Sequence, residues 1–160
     1  MGIFFSRAKK KEAPPPAPVG PRELSVTKVL ASKEATAAFL TFAQGEFSAE
    51  NLEFWLEVNA FQKRWDTNDQ TAREADCKQI IEEFLKEGAD RQVCIGDHRV
   101  KLIPGEYSKE MFEMPQQIAL ETLTLDIFPR FADSAKGAEL AKQVELTEPL
   151  QPGAAKANAL

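Results

Sequence analysis

Two groups of residues carry chemistry that the rest of the chain must serve. Glu50 and Asn51 stand in the first turn of a helix in the stretch EFSAENLEFWLEV, Glu46 to Val58. That helix is otherwise apolar enough for a core, and the pair has no evident structural need there. The second group opens the chain. MGIFFSRAKKK places Gly2 and Ser6 in the M-G-x-x-x-[ST] arrangement of an N-myristoylation acceptor. Removal of Met1 leaves the Gly2 amine free to take the acyl chain. One myristoyl chain holds a membrane only marginally, so a second signal is required. Arg7, Lys9, Lys10 and Lys11 supply one, at roughly 1 kcal/mol each beside an anionic leaflet. Ile3, Phe4 and Phe5 can dip into the same interface. The plainer alternative is a basic tail that aids solubility.

Catalysis by the chain itself finds little footing. The single His98 lies in a variable loop with no nucleophile beside it, and no glycine-rich phosphate motif is present. Cys77 and Cys94 have neither disulfide-framework nor zinc-ligand spacing. No cofactor and no metal are expected. The net charge is −5 over 160 residues with a pI near 5.1, which argues against nucleic acid as a partner. The charge is uneven. In residues 1–22 five cations face Glu12 alone, giving +4 and leaving −9 for the remainder. A basic head on an acidic body points the head alone at an anionic membrane surface.

The elements that position these residues are helical. Residues 1–23 form the basic head and a polyproline spacer, EAPPPAPVGPRE; residues 147–160 form a tail with little to bury. The body, 24–146, reads as an all-α domain of seven to nine helices. Ser25 to Ser32 is a short helix, with Val26, Val29 and Leu30 on one side. Glu34 to Gln44 follows, stopped by Gly45. Ser48 is the expected N-cap of a helix from Ala49 to about Trp65. That helix has two apolar stripes, one of Leu52, Trp55 and Leu56, the other of Phe54, Val58, Phe61 and Trp65. It is therefore covered on more than one side and central to a bundle. Thr67 and Gln70 form a capping box for a helix to about Lys86, stopped by Gly88. Residues 89–107 are irregular, with one short turn near His98–Leu102. Pro115 fits the first turn of a helix carrying Ile118, Ala119, Leu120, Leu123 and Leu125. FPRFADS makes a short turn, and a last helix runs from Ala135 to about Leu146.

Ala37 to Lys63, with Phe39, Phe42, Glu46-Phe47-Ser48, Glu50-Asn51 and Phe54-Trp55, resembles the RGS domain, the regulator of G-protein signalling. DIFPRFADS, Asp126 to Ser134, resembles a second block of that family. The resemblance implies an antiparallel four-helix bundle with a small subdomain of terminal helices. It implies a protein that binds the GTP-bound, transition-state form of a heterotrimeric G-protein α subunit and accelerates its GTP hydrolysis, with no intrinsic catalysis. By resemblance Glu46, Phe47, Glu50 and Asn51 face the switch regions of Gα, with Asp126 and Arg130 as a second contact segment. Each has a structural reading as well: Glu50 suits the helix dipole, Asn51 can help cap, and Asp126 with Arg130 can be an ordinary surface pair.

The chain departs from the family at three positions. Cys94 stands where the family usually has an Asn that packs on the catalytic glutamine of Gα, and a thiol is a weak donor and acceptor. Thr122 stands where a Leu contact is common, and Ile127 where Ser is usual. The departures favour binding over strong acceleration. The rival reading is a membrane-tethered RGS-homology scaffold or adaptor with little or no GTPase-activating activity. Either protein is expected to be monomeric and cytoplasmic, peripheral on the inner face of the plasma membrane.

Overall fold

A computed structural model describes residues 24–96 and 106–147. Among them the chain is all helical: α1 (Val26–Ala31), α2 (Lys33–Gly45), α3 (Glu50–Arg64), α4 (Gln70–Ile80), one π-helical turn (Ile81–Leu85), α5 (Glu113–Leu125), α6 (Ile127–Asp133) and α7 (Ala135–Thr147). The all-α expectation holds. The turn expected near His98–Leu102 lies outside the described residues, as do the acceptor Gly2, the basic head, the spacer and residues 148–160.

The starts of the helices follow their capping side chains. Ser25 Oγ accepts from Lys28 N and Ser32 Oγ from Ala35 N, both at 3.3 Å. The expected capping box at Thr67 and Gln70 does not form. Thr67 Oγ1 donates instead to the Arg64 carbonyl at 2.9 Å, which ties it to the end of α3. Asp69 caps α4 by accepting from Ala72 N at 2.8 Å. Nor does one α-helix reach Lys86. The ladder widens after Ile80, and Lys86 N donates back to Ile81 O at 2.8 Å. Gly88 then leaves the helix with φ +81°, a conformation that favours glycine.

The two stripes of α3 separate two cores. Leu52, with Trp55 and Leu56 packed alongside, joins the interior made by α1, α2, α6 and α7. Its centre is Phe39, whose ring lies 5.6 Å from Phe128 and 4.8 Å from Phe131. Phe54, Val58 and Phe61 enter the second interior, with Cys77, Ile80 and Phe84 from α4 and its π turn. Helix α5 serves both as well, giving Leu123 to the first and Ala119 to the second. At the far end α7 crosses α6 so closely that a Cβ on Gly137 would lie 2.1 Å from the Phe131 carbonyl oxygen. Arg64 fastens α3 to α4, bonding Glu57 at 3.0 Å and Asp76 at 3.3 Å. Cys77 is fully buried with its Sγ 3.4 Å from Met111 Sδ. Burial, and then the carboxylates of Asp76 and Glu74, push its thiol up to about 11. It therefore stays protonated at neutral pH and packs as a small apolar group.

Candidate functional site

The site begins in the turn between α2 and α3. Phe47 N donates to Gln44 O at 3.2 Å and Ser48 N to Ala43 O at 3.0 Å. These are the two bonds of a Schellman cap, which needs a left-handed residue at the position after the cap. That residue is Phe47, at φ +54°, and not a glycine. Gly45 ends α2 two residues too early to take the role. The same turn overrides the expected cap at Ser48. Its hydroxyl donates to the Glu46 carbonyl at 3.2 Å, and α3 starts after Ala49 with no side-chain cap.

A left-handed conformation costs a residue with a Cβ roughly 1–2 kcal/mol, and the Phe47 side chain, 96% exposed, recovers nothing from packing. Strained residues of this kind cluster at functional sites. Phe47→Gly should therefore raise the melting temperature by a few degrees, read by differential scanning calorimetry. An unchanged or lowered value would show that the ring supports the fold.

Three charged groups then meet from two segments far apart in sequence. Arg130 of α6 lies 3.8 Å from Glu46 and 3.3 Å from Asp126. Glu46 and Asp126, distant in sequence, thus share one guanidinium beside Phe47. Such exposed pairs contribute at most about 1 kcal/mol each to stability; the packing of Phe39 and Phe42 on Phe128 and Phe131 is what sets the α2–α3 turn beside the α5–α6 corner. Next to them Asn51 Nδ2 donates to Glu50 Oε1 at 3.3 Å, both half-buried in the first turn of α3. Thr122 is exposed on the last turn of α5. Ile127 is 2% exposed and belongs to the first core.

Cys94 is exposed between Val93 and Ile95, both buried. The alternation fixes that segment, and Val93 N donates to Phe84 O at 2.9 Å. Sequence reasoning missed the residue that anchors it. Arg91 bonds Glu53 of α3 at 3.4 Å and Glu83 at 2.5 Å, with its guanidinium 4.7 Å from the centre of the Phe84 ring. Glu53 lies three residues past Glu50, so Arg91 fastens the Cys94 loop to the helix that carries Glu50 and Asn51. Only an acid–base–aromatic set spread over three elements could have announced it, and spacing does not show such sets.

Residues 25–137 match the family model described as the regulator of G protein signaling domain. The chain belongs to the RGS family. The match takes in both Glu46–Asn51 and Asp126–Arg130, so the joined edge lies wholly within the RGS domain. The chain is 33% identical over 125 residues to regulator of G-protein signaling 16 of Sus scrofa, covering 76% of this chain and 60% of that protein. It is 30% identical over 123 residues to regulator of G-protein signaling 1 of Xenopus laevis, covering 75% and 60%. Regulator of G-protein signaling 5 of Rattus norvegicus is 36% identical over 120 residues, covering 72% and 64%. The chain thus spans a little under two thirds of these relatives.

Proposed function

We propose that this chain binds the GTP-bound, transition-state form of a heterotrimeric Gα subunit and accelerates its GTP hydrolysis by ordering the switch regions. The observation that carries the reading is the guanidinium of Arg130 within ion-pair reach of both Glu46 and Asp126, which brings the two segments singled out in the sequence to one edge. A Gα subunit holds its catalytic arginine in cis and still turns over at only ~10⁻² s⁻¹. What remains to be gained is order in its mobile loops. A stiff helical platform that fits them best in their transition-state arrangement lowers the barrier by differential binding. No proton need pass through this chain. The exposed Cys94 thiol replaces an amide in this reading, so acceleration is weaker than binding. That same residue favours the second reading, a membrane-tethered adaptor that binds without accelerating.

Single-turnover GTP hydrolysis by purified Gα, with and without this protein, separates the two. Acceleration is expected, together with capture of the GDP–aluminium fluoride form over the GDP form. Capture without acceleration supports the adaptor, and capture of neither form removes the proposed reading and leaves a scaffold for some other protein. On the proposed reading the acylated Gly2 and the Arg7, Lys9, Lys10, Lys11 cluster hold the domain at the inner face of the plasma membrane. Gly2→Ala should then move the protein from the membrane fraction to the cytosol; an unmoved fraction ends the lipid proposal.

A further inference from the structure

Leu24, Val29, Ala35 and Leu140 line an open groove between α1, the start of α2 and α7, away from the edge that carries Glu50 and Asn51. Its volume is about 220 Å³. Half-buried Lys28 and exposed Gln143 also line it, and Lys28 is the only ionisable group among the lining residues. Size limits what fits. A cavity of about 150 Å³ holds benzene, so this groove takes a phenyl ring. A myristoyl chain has more than twice the carbons of benzene and would overfill it.

The place of the groove says which ring. Leu24 is a lining residue, so the 23 residues before it leave from the groove's own edge. Their only aromatic rings are Phe4 and Phe5, and residues 148–160, beyond α7, have none. Ile3 to Ser6 carry no charge, so Lys28 does not repel them. The run from Pro14 to Pro18 spans about 15 Å as polyproline. Phe5 to Ala13 can extend to about 27 Å, and Gly20 allows a bend, so the head can return along the spacer to the groove. A tether of this kind holds the ring at an effective concentration near millimolar, so a weak pocket suffices.

We infer that, in water, the α1–α7 groove is occupied by a phenyl ring of the chain's own Phe4–Phe5 segment. A ring in the groove is withdrawn from a lipid interface, so docking competes with membrane insertion. The docking stands apart from the membrane proposal; the competition rests on it.

The test uses the full chain with leucine and valine methyl groups labelled for NMR. The methyl signals of Leu24, Val29 and Leu140 should shift in a Phe4→Ala, Phe5→Ala double variant, and part of their cross-relaxation with aromatic protons should vanish. The difference should persist on dilution. Identical signals overturn the inference. A difference lost on dilution gives the groove to a second copy and overturns it as well. Vesicles of phosphatidylcholine and phosphatidylserine should then bring the wild-type signals to those of the variant, with sedimentation reporting the bound fraction. Gln143→Phe, at an exposed position, supplies a ring in place of the head's and should raise vesicle affinity a few-fold. Bound protein with unmoved groove signals, or an affinity unaltered by Gln143→Phe, overturns the competition. If no chain sediments with vesicles, the membrane proposal and the competition fall together, while the docking is still decided by the double variant.

Discussion

Asn51→Ala is expected to lower affinity for the transition-state form of Gα by about 100-fold or more and to leave the helix content unchanged. The asymmetry follows from where the side chain stands. Asn51 is half-buried in the first turn of α3, and among the described residues its amide bonds the neighbouring Glu50 carboxylate alone, at 3.3 Å. It contributes nothing to either core. Alanine is the better helix former, so the fold loses little or gains slightly. The complex fares differently. An amide placed on a rigid helix can donate and accept at once to a partner's backbone. Its removal leaves those groups buried without partners, at about 1–3 kcal/mol each. Two such groups reach the 2.7 kcal/mol or so that a factor of 100 represents. Titration against the GDP–aluminium fluoride form, with far-ultraviolet circular dichroism alongside, measures both halves. Unaltered affinity would remove this edge as the contact surface.

The domain's plan was legible because it is written in apolar spacing. The two stripes of α3 required a helix covered on two sides, and the structure supplies a core for each. The turns were less legible, because several hydroxyls compete for few backbone groups. Ser48 and Thr67 are good caps in isolation. Each instead donates to a carbonyl of its own turn, and the start of each helix is settled elsewhere, by the Schellman bonds at Phe47 and by Asp69. A left-handed phenylalanine has no compositional signal at all. At the candidate edge, Asp126 and Arg130 were readable as a pair four residues apart, since helix geometry alone brings them together. The link from Arg130 to Glu46 and the Arg91 clamp on Glu53 and Glu83 depend on how separate helices cross. Leu125 stands beside Leu123 in the sequence and reads as core, yet two residues along a helix fall on opposite faces, and it is 82% exposed.

The largest effect on stability is expected from Phe61→Ala. Phe61 is fully buried in the second core, with its ring 5.3 Å from that of Trp65 and 5.4 Å from that of Phe112. Truncation removes the transfer energy of the ring and leaves a cavity that two other rings cannot fill, a cost of about 3–5 kcal/mol. For a domain with roughly 5–15 kcal/mol in all, that lowers the melting temperature by more than about 10 °C. The manner of unfolding is the sharper test. Because α3 and α5 each serve both cores, the first core cannot keep its shape once the second has opened. One cooperative transition is therefore expected even in the damaged protein. The only two tryptophans of the chain report separately: Trp55 packs on the first core and Trp65 on the second. Urea unfolding of Trp55→Phe and Trp65→Phe versions, followed by fluorescence, should give coincident midpoints with and without Phe61→Ala. Separated midpoints would mean that the two interiors are independent units and that α3 is a connector, too soft to serve as the rigid platform on which the Glu50–Asn51 edge depends.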